Sequence, residues 1–174
     1  MSESDWLEDN PNPSVPMFRL AVNLAWEGHL PSVKKMKLWY RDLTTEIPCV
    51  KIGKLASIVT DEVMIYRIDP ASLDIVLESV RCSMLGLVDL TLTEPQTQAL
   101  VTALSERLER LTLSFDLTMD IETLCQYDGQ GRCRELWVWR DTRRIYRERL
   151  RRWGAEVGWA VTTDNNNWFI IQRK

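Results

Sequence analysis

The chain is poor in the residues on which most catalytic and metal sites depend. Its 174 residues include a single histidine, His29, and four cysteines with no Cys-x-x-Cys pair. One histidine excludes metal sites built from several histidines, and separated cysteines disfavour zinc ribbons and redox motifs. The sequence also lacks G-x-G-x-x-G, G-x-x-x-x-G-K-[ST] and G-x-S-x-G, which bind phosphates or present a nucleophilic serine. We therefore expect no enzyme activity, no metal and no cofactor.

A strong charge of one sign and long apolar runs are missing as well. The net charge of -3 creates no global field that would attract nucleic acid. No stretch has the apolar length of a membrane span, and the acidic start Ser2-Glu3-Ser4-Asp5 differs from the basic start of a signal peptide. These features predict a cytoplasmic protein without membrane contact, whose cysteines stay reduced and pack as small apolar residues.

The beginning of the chain differs from the rest in its proline content. Prolines at 11, 13 and 16 predict an extended or disordered leader over residues 1–16, followed by a single domain over residues 17–174. Apolar residues then recur at helical spacing from Met17 to Glu27 and predict a covering helix that ends at Gly28.

A strand-like pattern recurs along the remainder of the sequence. Six segments share an apolar-x-apolar core: Met36-x-Leu38, Val63-x-Ile65, Leu90-x-Leu92, Leu111-x-Leu113, Leu136-x-Val138 and Trp159-x-Val161. Successive cores are 21 to 27 residues apart, within the range of leucine-rich repeat units. The recurrence predicts about six repeats of one structural unit.

Helical patterns separate these cores. Amphipathic helices are predicted over residues 45–59, 70–81, 93–104, 120–127 and 141–154. Thr93 should cap the third of these, and Asp141 the last, with Ile145 on its inner side. Alternating strands and helices favour parallel strands with right-handed crossovers.

The C-terminal end departs from this alternation. Polar residues 162–167 predict a turn too short for a parallel crossover. The last strand, over residues 168–171, should therefore fold back antiparallel onto residues 159–161 and close the open edge of the sheet.

Two of the repeats carry a recognisable motif. Leu87-Val88-Asp89-Leu90-Thr91-Leu92 and Leu108-Glu109-Arg110-Leu111-Thr112-Leu113 fit the pattern L-x-x-L-x-L. The unit length and the helix after each strand resemble leucine-rich repeats of the ribonuclease-inhibitor type, found in intracellular innate-immune receptors. Where that family has Asn or Cys, the chain has Arg41, Ile68, Pro95, Asp116, Asp141 and Asp164, so the repeats are degenerate. The resemblance implies an α/β fold, a short right-handed solenoid with a parallel sheet, and a scaffold that binds proteins without catalysis.

Aromatic residues mark the candidate binding face. In a strand, the residue between two core positions points away from the core. We expect Trp39, Tyr66, Trp137 and Trp139 to line such a face and to bind another protein, because aromatic side chains dominate binding hot spots. In the alternative arrangement Trp39 and Trp139 pack under loops, and only Trp137 is exposed.

Two other functions stay open at this point. Arg143, Arg147 and Arg151 are four residues apart on the last predicted helix and could bind an anion or nucleic acid, although such a charged face also suits plain solvent exposure. A signalling domain resembling anti-sigma-factor antagonists would need a phosphorylatable residue at a helix start, for which Thr93 is the candidate.

Overall fold

The computed structural model describes residues 15–39, 47–114, 116–164 and 168–174. The chain divides into two compact units, residues 1–83 and residues 84–174. Most of the leader expected over residues 1–16 lies outside the described residues.

The first unit alternates helices with two parallel strands. Its elements are α1 (Val15–Trp26), β1 (Val33–Trp39), α2 (Cys49–Ser57), β2 (Val59–Tyr66) and α3 (Pro70–Ser79). Met36 on β1 pairs with Val63 on β2, and Leu38 pairs with Ile65. These four side chains are buried, which confirms the first two strand cores read from the sequence.

The helices of the first unit begin at proline-marked positions. Helix α1 is described from Val15, so it already includes the two residues before the expected Met17. Helix α3 starts at Pro70, and Asp69 caps it by accepting a hydrogen bond of 3.0 Å from the Ser72 backbone N–H. Helix α2 is shorter than expected, because Ile47 and Pro48 precede it and Val59 belongs to β2; residues 45 and 46 lie outside the described residues.

The second unit contains a strand series closed by a hairpin. Its elements are β3 (Met84–Val88), α4 (Glu94–Glu106), β4 (Arg110–Ser114), α5 (Ile121–Leu124), β5 (Glu135–Trp139), α6 (Arg144–Glu156), β6 (Ala160–Thr163) and β7 (Trp168–Gln172). The strand order is β3-β4-β5-β7-β6. Strands β3, β4 and β5 are parallel, and β7 is antiparallel to both β5 and β6. The predicted α/β class, the mostly parallel strands and the C-terminal antiparallel hairpin are confirmed.

The third predicted strand is wrong in position. The strand contains Leu85 and Leu87, which pair with Leu111 and Leu113, whereas Leu90-x-Leu92 follows it as an isolated parallel bridge of Thr91 with Thr118. Asp89 has a φ of 49°, a left-handed backbone that ends the strand. Leu90 and Leu92 are nevertheless buried. Their prediction as core residues is therefore correct, although neither belongs to a named strand.

The order of the two C-terminal strands in the sheet differs from the expected order. Strand β7 does pair antiparallel with β6, as predicted, but it also pairs with β5 and so lies between them. Strand β6 is therefore the outer strand, and the expectation that the last strand closes the edge is wrong. The sixth core is also shifted, since the strand begins at Ala160 and Trp159 precedes it.

The start of α6 also differs from the prediction. Asp141 does not cap the helix, which begins at Arg144 after an Arg143 that makes no side-chain capping bond. Ile145, expected inside, is 68% exposed. Helix α4 fits better: the Gln96 N–H donates to Thr93 Oγ1 at 3.4 Å, and the Thr93 N–H donates to Gln96 Oε1 at 2.9 Å, which confirms the capping box.

Three aromatic side chains pack together in the core of the second unit. Trp153 on α6 lies 6.0 Å from the Tyr127 ring and 5.2 Å from the Trp159 ring. The Trp153 Nε1–H donates to the backbone oxygen of Tyr127 at 2.7 Å, and the Trp159 Nε1–H donates to that of Gly129 at 3.3 Å. The two buried indole N–H groups are thus satisfied, as burial requires.

Candidate functional site

Strand β5 separates its side chains onto two faces. Leu136 and Val138 are buried on one face, and Glu135, Trp137 and Trp139 alternate with them on the other, where they are half-buried. The period of two along a strand gives this division directly. The two tryptophans predicted on this strand therefore share a face that is only partly covered.

Strand β7 adds a third tryptophan to this face. In the antiparallel register, Trp168 is opposite Trp139, and Ile170 is opposite Trp137. The Trp168 ring centroid lies 4.8 Å from that of Trp139, with planes at 65°, and 6.0 Å from that of Trp137, with planes at 60°. The contact of Trp168 with Trp139 is edge-to-face, a favoured arrangement of aromatic pairs, and its contact with Trp137 is tilted. We call Trp137, Trp139 and Trp168 the aromatic face.

Charged neighbours fix the orientation of the two rings on β5. The Trp137 Nε1–H donates to Glu135 Oε2 at 2.9 Å, and the guanidinium of Arg110 on β4 lies 4.9 Å from the Trp137 ring centroid. The Trp139 Nε1–H donates to Asp141 Oδ2 at 3.2 Å. A cation over the ring and an acceptor at its edge both hold an indole in one rotamer. Contacts within the chain thus orient both rings of β5 on the aromatic face.

The start of β7 is held by the turn that precedes it. The Trp168 N–H donates to Asp164 Oδ1 at 2.9 Å, and the Asp164 N–H donates to the Trp168 oxygen at 3.1 Å. This reciprocal pair fixes the register of the hairpin. A slip of one residue would move Trp168 to the opposite side of the sheet.

The opposite side of the hairpin is covered by α6. A Cβ added at Gly154 would come within 2.7 Å of Ile171 Cγ2, so the helix approaches β7 closely there. Ile171 and Leu136 are both buried on this side. The helix layer leaves the aromatic face on the other side of these strands.

The structure brings together two of the four predicted partner-binding residues. Trp137 and Trp139 lie on the aromatic face of the second unit, whereas Trp39 and Tyr66 belong to the first unit. The side chain of Trp39 lies outside the described part of the structure, although its backbone pairs with Tyr66. Tyr66 is half-buried, and burial, followed by the charge of Glu62, raises the pKa of its phenol.

The predicted arginine column has an intramolecular role. The guanidinium groups of Arg147 and Arg151 lie 5.6 and 4.1 Å from the ring centroid of Phe169 on β7. Arg143 is exposed at the position before α6. Stacking on Phe169 helps to attach α6 to the hairpin. It gives Arg147 and Arg151 a structural role that does not require a bound anion.

The thiols of Cys125 and Cys133 and the hydroxyl of Thr93 have specific surroundings in the second unit. Burial raises the pKa of the Cys133 thiol to about 12 and that of Cys125 to about 11, so both stay protonated at neutral pH and are poor nucleophiles. Among the described residues no group of three or more His, Cys, Asp and Glu is placed to hold a metal ion. Thr93, the candidate for phosphorylation, uses its hydroxyl oxygen in the capping box.

Sequence reasoning missed Trp168 and Arg110 as members of this site. The polar residues 162–167 predict the hairpin. The pairing of β7 with β5 depends on the insertion of β7 between β5 and β6, which no local sequence pattern encodes. Arg110 carried a usable signal, because it precedes Leu111 by one residue and so lies on the same face as the residue between the two core leucines.

Comparison of the chain with protein-family models, with curated proteins and with solved structures finds no match. Within the described ranges, every helix is too short or too polar to cross a membrane. The fold and the aromatic face are therefore the basis for assigning a function.

Proposed function

We propose that this protein binds another protein through the aromatic face of its second unit. The observation that carries the proposal is the packing of the Trp168 ring against both Trp137 and Trp139, with all three side chains half-buried. Tryptophans are the residues most enriched in binding hot spots, and rings that are already ordered lose little entropy when a partner covers them.

Their charged neighbours suit this role as well. Glu135 and Arg110 border Trp137, and Asp141 borders Trp139, so an apolar centre is surrounded by polar groups. A dry centre within a polar rim is the usual organisation of protein interfaces. The aromatic face is small, and a stable complex would extend beyond it onto neighbouring strands.

We also propose that the strand-helix units are degenerate leucine-rich repeats, which would form the short right-handed solenoid expected from the sequence. Equivalent apolar residues pair in neighbouring strands of the second unit, with Leu85 opposite Leu111 and Leu111 opposite Leu136. Such a register supports repetition of one unit. Protein binding by the uncovered side of the strands is what the resemblance implies.

Affinity capture with matched variants tests the proposed binding. The bait is the full chain, immobilised as wild type, Trp137→Ala, Trp168→Ala and the control Trp26→Ala, with captured proteins quantified by mass spectrometry. Trp26 is 47% exposed on α1, and the Lys51 Nζ lies 5.8 Å from its ring centroid. The control therefore removes an indole that also contacts a cation but lies outside the aromatic face. We expect at least one protein that wild type and Trp26→Ala recover equally and that both aromatic-face variants lose about tenfold or more, the effect of removing a hot spot.

Thermal unfolding of each bait verifies that the variants are folded. Equal recovery of every captured protein by all four folded baits would contradict the proposal.

A further inference from the structure

The outer strand of the second unit, β6, is short and largely exposed, and among the described residues it carries none of the lysines, prolines or bulges that hinder edge pairing. Strand β6 stands at the end of the strand order, and its residues are Ala160, Val161, Thr162 and Thr163. Val161 is 39% exposed, and both threonines are exposed. β-Branched side chains favour a strand, and a free edge of this composition is a template for another strand.

Strand β1 of the first unit has a different composition. Strand β1 carries three exposed lysines, Lys34, Lys35 and Lys37, and its pairing shifts register between Val33 and Lys35. Lysines and bulges are the devices by which natural sheets prevent edge-to-edge pairing. Strand β6 has no lysine, no proline and no register shift in its pairing with β7. Strand β1 therefore carries features that hinder edge pairing, and β6 lacks them.

The backbone of β6 has hydrogen-bonding groups that face away from β7. Along antiparallel strands, hydrogen-bonded and non-hydrogen-bonded pairs alternate. The Asp164 N–H bonds to the Trp168 oxygen, so the next hydrogen-bonded pair is Thr162 with Ile170. The N–H and C=O groups of Val161 and Thr163 consequently point outward, two residues apart on the open edge.

From this edge we infer that β6 pairs antiparallel with β6 of a second copy, about a two-fold axis at Thr162. Val161 of each copy then exchanges both backbone hydrogen bonds with Thr163 of the other. Thr162 meets its own equivalent in a non-hydrogen-bonded pair, and Asp164 meets Ala160, so no like charges oppose each other.

A second copy fits this edge because the uncharged segment is complementary to itself in the antiparallel direction. The strand is short, so the dimer is a weak one that depends on protein concentration. The inference does not depend on the aromatic face, because it uses the backbone edge of β6 and not the side chains of β5 and β7.

Sedimentation equilibrium over a wide concentration range tests the dimer. The wild type should rise in weight-average mass from the monomer value of 20.3 kDa towards twice that value. Val161→Pro removes an N–H that points outward from the edge. Thr163→Lys places on the edge a charge that hinders strand pairing. Each substitution should weaken dimerisation at least tenfold. Ile145→Lys, at an exposed position of α6, adds the same charge away from the edge and should dimerise like wild type.

A cysteine crosslink supplies a second and independent readout. Directly opposed residues in a non-hydrogen-bonded pair have Cα atoms about 4.5 Å apart, within the reach of a disulfide. Thr162→Cys should therefore form a covalent dimer under mild oxidation, well above the level given by the wild type with its native cysteines.

A wild type that stays monomeric at all concentrations, or edge variants that dimerise like wild type, would overturn the inference. Failure of Thr162→Cys to crosslink above the wild-type level would overturn the two-fold register.

Discussion

The indole of Trp168 packs against that of Trp139 with ring centroids 4.8 Å apart, although 28 residues of the sequence lie between them. The contact exists because β7 is inserted between β5 and β6, which pairs the two residues across the hairpin. The composition of the aromatic face and the outer position of β6 both depend on this insertion.

Core packing of the second unit depends on Trp153. Its side chain is buried, contacts two aromatic rings and donates a hydrogen bond to the Tyr127 backbone oxygen. Trp153→Ala should lower the free energy of unfolding by about 3–5 kcal/mol, the usual cost of removing a large buried aromatic side chain. Urea unfolding followed by far-ultraviolet circular dichroism measures the change.

Trp26→Ala is the control for that experiment, because Trp26 is half exposed. Its effect should stay within about 0.5 kcal/mol, as for most surface substitutions. Equal effects of the two substitutions would contradict the burial of Trp153.

Gly131 is required by a close approach of two backbone segments. A Cβ at this position would collide with the Cα of Ser105 at the end of α4, and the Arg132 N–H donates to the Ser105 oxygen at 2.9 Å. Gly131→Ala should therefore destabilise the chain by about 1–3 kcal/mol, since the backbone has to move. Gly28→Ala is an informative comparison, because no atom lies within 4 Å of an added Cβ there and only its φ of 78° opposes the substitution.

The α4 capping box should contribute measurably to stability. Thr93→Ala removes the acceptor for the Gln96 N–H and should cost about 1 kcal/mol. Thr102→Ala, at an exposed position of the same helix, should be neutral or slightly stabilising, because its hydroxyl bonds only to the Gln98 backbone oxygen. Chemical denaturation of the two variants side by side makes the comparison, and equal losses would show that the cap does not stabilise α4.

Stability should fall at alkaline pH because of the buried thiols. The pKa of Cys133 is raised from 9.0 to about 12, and that of Cys125 from 9.0 to about 11, chiefly by burial. Between pH 9 and 11 the unfolded chain loses thiol protons that the folded chain retains, so the unfolded state is favoured as pH rises. Unfolding free energies from pH 8 to 11 should decline less for Cys133→Ala than for wild type, and an equal decline would contradict this assignment.

Local patterns predicted much of this fold, and the errors have specific physical causes. The capping box at Thr93 and the strand cores at Met36, Leu111 and Leu136 were predictable because their determinants lie within a few residues. The third strand was misplaced because leucines at 85, 87, 90 and 92 fit a strand equally well, and only the left-handed Asp89 ends it.

Long-range pairing set the limits of prediction for the candidate site. Trp137 and Trp139 share a face by simple alternation along β5, which the sequence reveals. Trp168 joins them only because β7 pairs with β5, and this choice between neighbouring strands depends on packing of the whole unit. Ile145 is a further exception: the helical pattern predicts it inside, but it is exposed in the first turn of α6.

The most direct test of the central claim is the affinity of a captured partner for Trp137→Ala relative to Trp26→Ala, measured by isothermal titration calorimetry with purified proteins. We predict that Trp137→Ala weakens binding about 30-fold or more, corresponding to about 2 kcal/mol, while Trp26→Ala binds like wild type. Affinities that agree within about threefold for wild type and both variants would contradict a binding role for the aromatic face.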